Sequence, residues 1–184
     1  MTMPSKKPTN LDKIRAAIRT IPDFPIPGIQ FRDVTTLFKN PEAYRLTIEA
    51  AIEKSRDYQF DAIAGIESRG FVLAGAMAFQ LNKGCILMRK PGKLPGETIS
   101  ESYTLEYGTN TLEVHKDAIQ PGQKVFIIDD LLATGGTARA VAKLVERLGG
   151  EVAAFGFVVD LPALKGTEAI KNYPVFSLVA FEGE

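Results

Sequence analysis

The chain has 184 residues, 45% of them apolar and 24% charged, with 22 basic side chains balanced by 22 acidic ones. The length predicts one compact domain spanning 1–184, and the composition excludes a disordered chain. Zero net charge gives no general attraction to nucleic acid or to a membrane surface, so a polyanionic ligand must meet a local basic cluster. Cys85 is the only cysteine, which excludes an internal disulfide and speaks against a cysteine metal site. The longest apolar stretch, Phe71 to Phe79, is too short to cross a bilayer, and the first residues lack the apolar run of a secretory signal. A cytoplasmic protein is expected, with neither nucleic acid nor membrane as a partner.

Residues 1–9 read as a flexible tail. Asn10 is the expected N-cap of a first helix, with Leu11, Ile14 and Ile18 at helical spacing. Ile21 to Gly28 holds three prolines and cannot be helical, so it reads as an extended loop leading into Ile29–Asp33. A second helix starts cleanly: Asn40 caps, Pro41 takes the first helical position, and Glu42 faces the positive end of the dipole. Five short apolar runs follow: Ala62–Ile66, Cys85–Met88, Val125–Ile128, Val152–Val159 and Val175–Val179. None alternates, as strands covered on both faces require. Helices are expected after the polar break at Glu67–Gly70, through about Leu81, and from about Gly136 to Leu148. The alternation predicts an α/β fold: an open, mostly parallel sheet flanked by helices.

The alternation fails between Met88 and Lys124. Tyr103–Tyr107 and Thr111–His115 alternate polar and apolar residues, and Gly108-Thr109-Asn110 is the expected turn of a β-hairpin projecting from the sheet. Residues 89–99 would form its stem, and an insertion of this kind reads as a lid, here 89–115. His115 and Cys85 are each the sole residue of their kind; the first reads as a hairpin residue, the second as a buried strand residue.

The stretch richest in chemistry is Val125-Phe-Ile-Ile-Asp129-Asp130-Leu-Leu-Ala133-Thr134-Gly135-Gly136-Thr137. A buried strand delivers two carboxylates to the carboxyl edge of the sheet, where open α/β folds bind ligands. The Gly-Gly turn then opens a helix whose free N–H groups, with the hydroxyls of Thr134 and Thr137, make an anion cradle. The helix dipole contributes only about 0.3–1 kcal/mol per exposed charge, so convergent donors must supply most of the grip on a phosphate. Two aspartates facing a phosphate would repel it, but a few ångströms away they suit neutral hydroxyls. A phosphorylated sugar with a vicinal diol satisfies both halves. No G-x-x-x-x-G-K-[ST] and no G-x-G-x-x-G follows a strand, so nucleotide-triphosphate and dinucleotide loops are excluded.

Residues 125–137 resemble the 5-phosphoribosyl-1-pyrophosphate (PRPP) motif of type I phosphoribosyltransferases. Asp23–Asp33, Glu67–Phe71, Arg89–Pro95, Leu105–Gly108 and Leu164–Gly166 are similar, in order and spacing, to the adenine phosphoribosyltransferase family, and the likeness covers about residues 11–182. It implies the type I fold, a homodimer, Mg²⁺ as cofactor, and adenine and PRPP as substrates, giving AMP and pyrophosphate. It assigns the 5′-phosphate to Ala133, Thr134, Gly135, Gly136 and Thr137, and the ribose hydroxyls to Asp129 and Asp130. Pyrophosphate falls to Ser68 and Arg69, with a cis peptide before Ser68, and to the basic cluster Arg89, Lys90 and Lys93. Gln30, Phe31 and Arg32, in the hood segment 21–36, would read adenine largely through backbone groups, although Arg32 could instead support its loop through Asp33. Glu106 is the implied catalytic residue, with Tyr107 packing on the ligand. No protein cage is implied for Mg²⁺, which would ride on substrate oxygens and water. Two other readings stand beside this one: a PRPP-sensing regulatory module without turnover, and a transferase for another base. Glu106, the balanced charge and the Asp160–Gly166 segment speak for the adenine enzyme.

Overall fold

The computed structural model describes residues 7–105 and 108–183. The elements in chain order are α1 (Asn10–Ala16), β1 (Arg19–Pro22), β2 (Gln30–Asp33), α2 (Thr35–Phe38), α3 (Pro41–Ser55), β3 (Ala62–Ile66), α4 (Arg69–Leu81), β4 (Gly84–Met88), β5 (Thr98–Leu105), β6 (Gly108–His115), β7 (Lys124–Leu132), α5 (Gly136–Arg147), β8 (Glu151–Asp160), α6 (Gly166–Ala169) and β9 (Val175–Ala180). A five-stranded sheet runs β4-β3-β7-β8-β9, every neighbouring pair parallel. Successive side chains of β7 serve opposite faces. Phe126 and Ile128 pack with Ile48, Ile52, Leu73 and Met77 of α3 and α4. Val125 and Ile127 pack with Val141 and Leu144 of α5 and with Leu112 and Val114 of β6. Parallel strands place all carboxyl ends on one edge, where the loops after β3, β4 and β7 converge.

Several expectations shift. The first helix is capped by Thr9, not Asn10: the Thr9 hydroxyl accepts from the Asp12 amide at 3.1 Å, and the Asp12 carboxylate accepts from the Thr9 amide at 2.8 Å. This reciprocal box satisfies two donors where Asn10 would satisfy one. The proline-rich segment is not loop throughout, because Arg19–Pro22 pairs antiparallel with Gln30–Asp33. The hairpin is present, but Gly108, Thr109 and Asn110 belong to β6, and the ladder closes on Leu105 and Gly108. Its strands also begin earlier, with Thr98 opposite His115. Cys85 is exposed rather than buried, because β4 is an edge strand that buries Ile86 and Met88 and turns Cys85 and Leu87 outward. The second helix begins as expected, with the Asn40 side chain accepting from the Ala43 amide and Pro41 in the first turn.

Asp33, not Arg32, ties the first hairpin to α2. Its carboxylate accepts from the Thr35 amide at 2.9 Å and hydroxyl at 2.6 Å and pairs with Arg19. The Thr35 hydroxyl bond, opposed by burial and joined by Arg19, holds its pKa at about 2. The folded state thus takes up this proton less readily than the unfolded chain. The stabilisation is full above the unfolded value of 3.8 and is lost as pH falls toward about 2. Asp33→Asn is expected to cost about 1 kcal/mol at neutral pH, discounted because Arg19 is exposed. Urea unfolding at a series of pH values should show a flatter acid limb in the variant, and an unchanged limb would assign that sensitivity to other carboxylates.

Candidate active site

The strand expected to end at Ile128 continues to Leu132, so both aspartates lie inside β7. Asp130 is buried, and its carboxylate accepts from Nε of Arg69, the first residue of α4. The Asp129 carboxylate accepts from the Asp130 amide at 2.9 Å. Burial, reinforced by the charge of Asp130, pushes the Asp129 pKa well above the usual carboxylate range. Ala133, Thr134 and Gly135 then leave the strand, and α5 begins at Gly136 with Gly135 as its N-cap at φ +78°. No side chain caps this helix, so its first amides stay open, and among the described residues neither the Thr134 nor the Thr137 hydroxyl bonds to protein. The turn is braced from outside. A Cβ on Gly135 would meet the Gly166 carbonyl at 2.3 Å, and one on Gly166 would meet the Ala133 carbonyl at 2.2 Å.

These groups line one cavity of about 390 Å³ that holds Glu67, Ser68, Arg69, Lys90, Tyr103, Asp129, Asp130 and Ala133–Thr137. The Glu67–Ser68 peptide is cis, as expected. Ten of the sequence-assigned residues meet here: Ser68, Arg69, Lys90, Asp129, Asp130 and the five of the cradle. Arg89 and Lys93 do not line it. The Arg89 guanidinium lies 3.3 Å from the Glu67 carboxylate, donates to the Lys93 carbonyl at 3.0 Å and sits over Phe71. Gln30, Phe31 and Arg32 lie outside the lining, but the Phe31 ring is 5.8 Å from the Arg69 guanidinium. Arg32 does not support its loop through Asp33. It donates to the Thr20 hydroxyl at 2.5 Å and stacks 4.6 Å from the Phe181 ring. Glu106 and Tyr107 fall outside the described residues.

Glu67 was given no role by the sequence reading, yet it holds the basic loop in place. It accepts from the Lys90 amide at 2.8 Å and faces Arg89. Burial raises its pKa, but the Lys90 amide and Arg89 outweigh that and leave it below the ordinary value. Its position at the carboxyl end of β3, on the ligand-binding edge, was the available signal. Tyr103, on β5, was likewise unassigned. Among the described residues no three His, Cys, Asp or Glu side chains cluster as a metal site, and no helix is long and apolar enough to cross a membrane.

The phosphoribosyl transferase domain matches residues 33–182. The adenine phosphoribosyltransferase of Desulfitobacterium hafniense is 54% identical over 164 residues, which span 89% of this chain and 95% of the relative. The chain belongs to the adenine phosphoribosyltransferase family. Among solved members of that family, the enzyme from Thermoanaerobacter pseudethanolicus superposes with a TM-score of 0.91 at 48% identity, covering 93% of this chain and 99% of the other. The Saccharomyces cerevisiae enzyme, solved with an iminoaltritol bisphosphate and adenine, superposes at 0.87 with 38% identity, covering 92% and 98%. The adenine phosphoribosyltransferase fold is thus the type I fold: a parallel sheet flanked by helices, with a hairpin beside the cavity.

Proposed function

We propose that this protein transfers the 5-phosphoribosyl group from PRPP to adenine, releasing pyrophosphate and forming AMP. The observation that carries the reading is one cavity in which an amide-lined turn with two hydroxyls adjoins two carboxylates and an arginine. Ala133 to Thr137 bind the 5′-phosphate through the open amides of α5 and the Thr134 and Thr137 hydroxyls. Asp129 and Asp130 accept from the ribose hydroxyls. Ser68, Arg69 and Lys90 take the diphosphate, with Arg89 and Lys93 completing the basic side. In its two-stranded sheet β2 pairs only with β1 among the described residues, so the outer backbone edge of Gln30–Arg32 can read a flat neutral base. Glu106 manages the proton of the purine, and Tyr107 packs on the ligand. Segment 21–36 forms the hood over the base and 89–115 the lid.

Mg²⁺ usually keeps several waters and uses substrate phosphates, so it would ride on the diphosphate and ribose oxygens without a protein cage. When bound it supplies charge neutralisation on the diphosphate. The protein works in the cytoplasm as a homodimer. Support for the dimer comes from an exposed apolar face: Phe79, 91% exposed, and Val72 lie seven residues apart on α4, beside the outward Leu87 of edge strand β4. Phe79→Glu is expected to yield monomers in sedimentation velocity, and a variant that stays dimeric would place the interface elsewhere.

The decisive test offers purified protein PRPP, Mg²⁺ and each purine base. AMP should form from adenine far faster than nucleotides form from hypoxanthine or guanine. No turnover with adenine would reject the reading, leaving a sensor if PRPP still binds, and turnover with another base would change the substrate.

A further inference from the structure

Asp130 presents a puzzle that sugar binding alone does not solve. Its side chain is only 6% exposed, and Oδ2 is committed to Nε of Arg69. Arg69 keeps 42% of its side chain exposed and, among the described residues, donates no other hydrogen bond. Its guanidinium is flanked by the Phe31 ring at 5.8 Å. A guanidinium held by Nε has a fixed plane, and its two terminal amino groups are left as a fork that matches two phosphate oxygens.

We propose that Asp130 is the positioning residue for Arg69: one carboxylate oxygen orients the guanidinium so that its terminal amino groups face the diphosphate. This rests on the functional reading above and deepens it. It ties the sugar and diphosphate ends of the substrate to a single buried carboxylate. The prediction runs against simple electrostatics. Removing a negative charge beside an anion site ought to tighten anion binding, whereas losing the orienting bond loosens it.

The experiment titrates wild type, Asp130→Asn, Arg69→Gln and the double variant with Mg-pyrophosphate alone, without sugar or base, by calorimetry. Asp130→Asn is expected to weaken pyrophosphate roughly tenfold, the scale of one charge-assisted hydrogen bond. In the Arg69→Gln background the same change should do nothing further, and Asp130→Glu should restore part of the loss. Pyrophosphate bound as tightly or more tightly by Asp130→Asn overturns the proposal, as does an equal loss in both backgrounds. Should Asp130→Asn fail to fold, Arg69→Lys serves. It keeps the charge without the planar fork and should bind as weakly as Arg69→Gln, while wild-type affinity would show that a point charge suffices. Adenine turnover by the wild type is measured alongside. Its absence defeats the functional reading, whereas normal turnover with a tight Asp130→Asn complex defeats this inference alone.

Discussion

Gly166→Ala is expected to lower kcat/KM for PRPP by roughly 100-fold, the penalty that displacement of a positioned group by about 1 Å can carry. Gly166 lies beyond the cavity lining, at the start of α6, and touches no ligand in the proposed mechanism. Its effect runs through the backbone. A Cβ there would sit 2.2 Å from the Ala133 carbonyl and 2.8 Å from the Leu132 side chain, and on the facing turn a Cβ on Gly135 would meet the Gly166 carbonyl at 2.3 Å. Neither carbonyl belongs to a flexible side chain, so the turn itself must move. Ala133 is its first residue, and the amides that follow are the proposed phosphate donors. The overpacking should also cost about 1–3 kcal/mol of stability, visible in denaturant unfolding. Folding and binding separate in one comparison. A variant that melts cooperatively but binds ribose 5-phosphate weakly by calorimetry supports the brace, and a folded variant with unaltered affinity removes it.

The residues that were legible are those whose neighbours in sequence are also neighbours in space. Asp129, Asp130 and the cradle follow one another along β7 and into α5, so a single stretch of chain spells out both halves of the site. The Asn40-Pro41 helix start is local in the same sense. What escaped depends on distant partners. Cys85 sits in an apolar run, and only the strand order reveals that β4 has no neighbour on one side. The hairpin turn was misplaced because Gly108, Thr109 and Asn110 carry turn chemistry, while Thr98–Ser102 contributes only one apolar residue, Ile99, to show that the ladder extends so far back. Arg32 illustrates the same limit, since its stacking partner Phe181 comes from the far end of the chain and is held by the Asp160 carbonyl. Thr9 is the exception: Asp12, three residues later, was in plain view as the other half of a capping box.

Glu106→Gln is expected to lower kcat by about 10²–10⁴-fold while leaving PRPP affinity close to wild type. The displacement breaks the bond between C1′ and a pyrophosphate oxygen, whose electron pair leaves with the diphosphate. A ring nitrogen of adenine bonds to C1′, and the proton on the base must pass to an acceptor. The cavity's own carboxylates are poorly placed for that task. Asp130 is committed to Arg69, and Asp129 adjoins the cradle and the sugar side of the cavity. Glu106 follows Tyr103 by three residues in sequence, and Tyr103 lines the cavity. In the proposed mechanism the 89–115 lid delivers this acceptor over the base after PRPP is seated and excludes the water that would hydrolyse PRPP. A glutamine of the same shape keeps the packing and loses the proton acceptor. The variant should therefore lose most of its rate in single-turnover measurements while PRPP binding is retained. A variant whose kcat stays within about twofold of wild type would show that the proton leaves by another route.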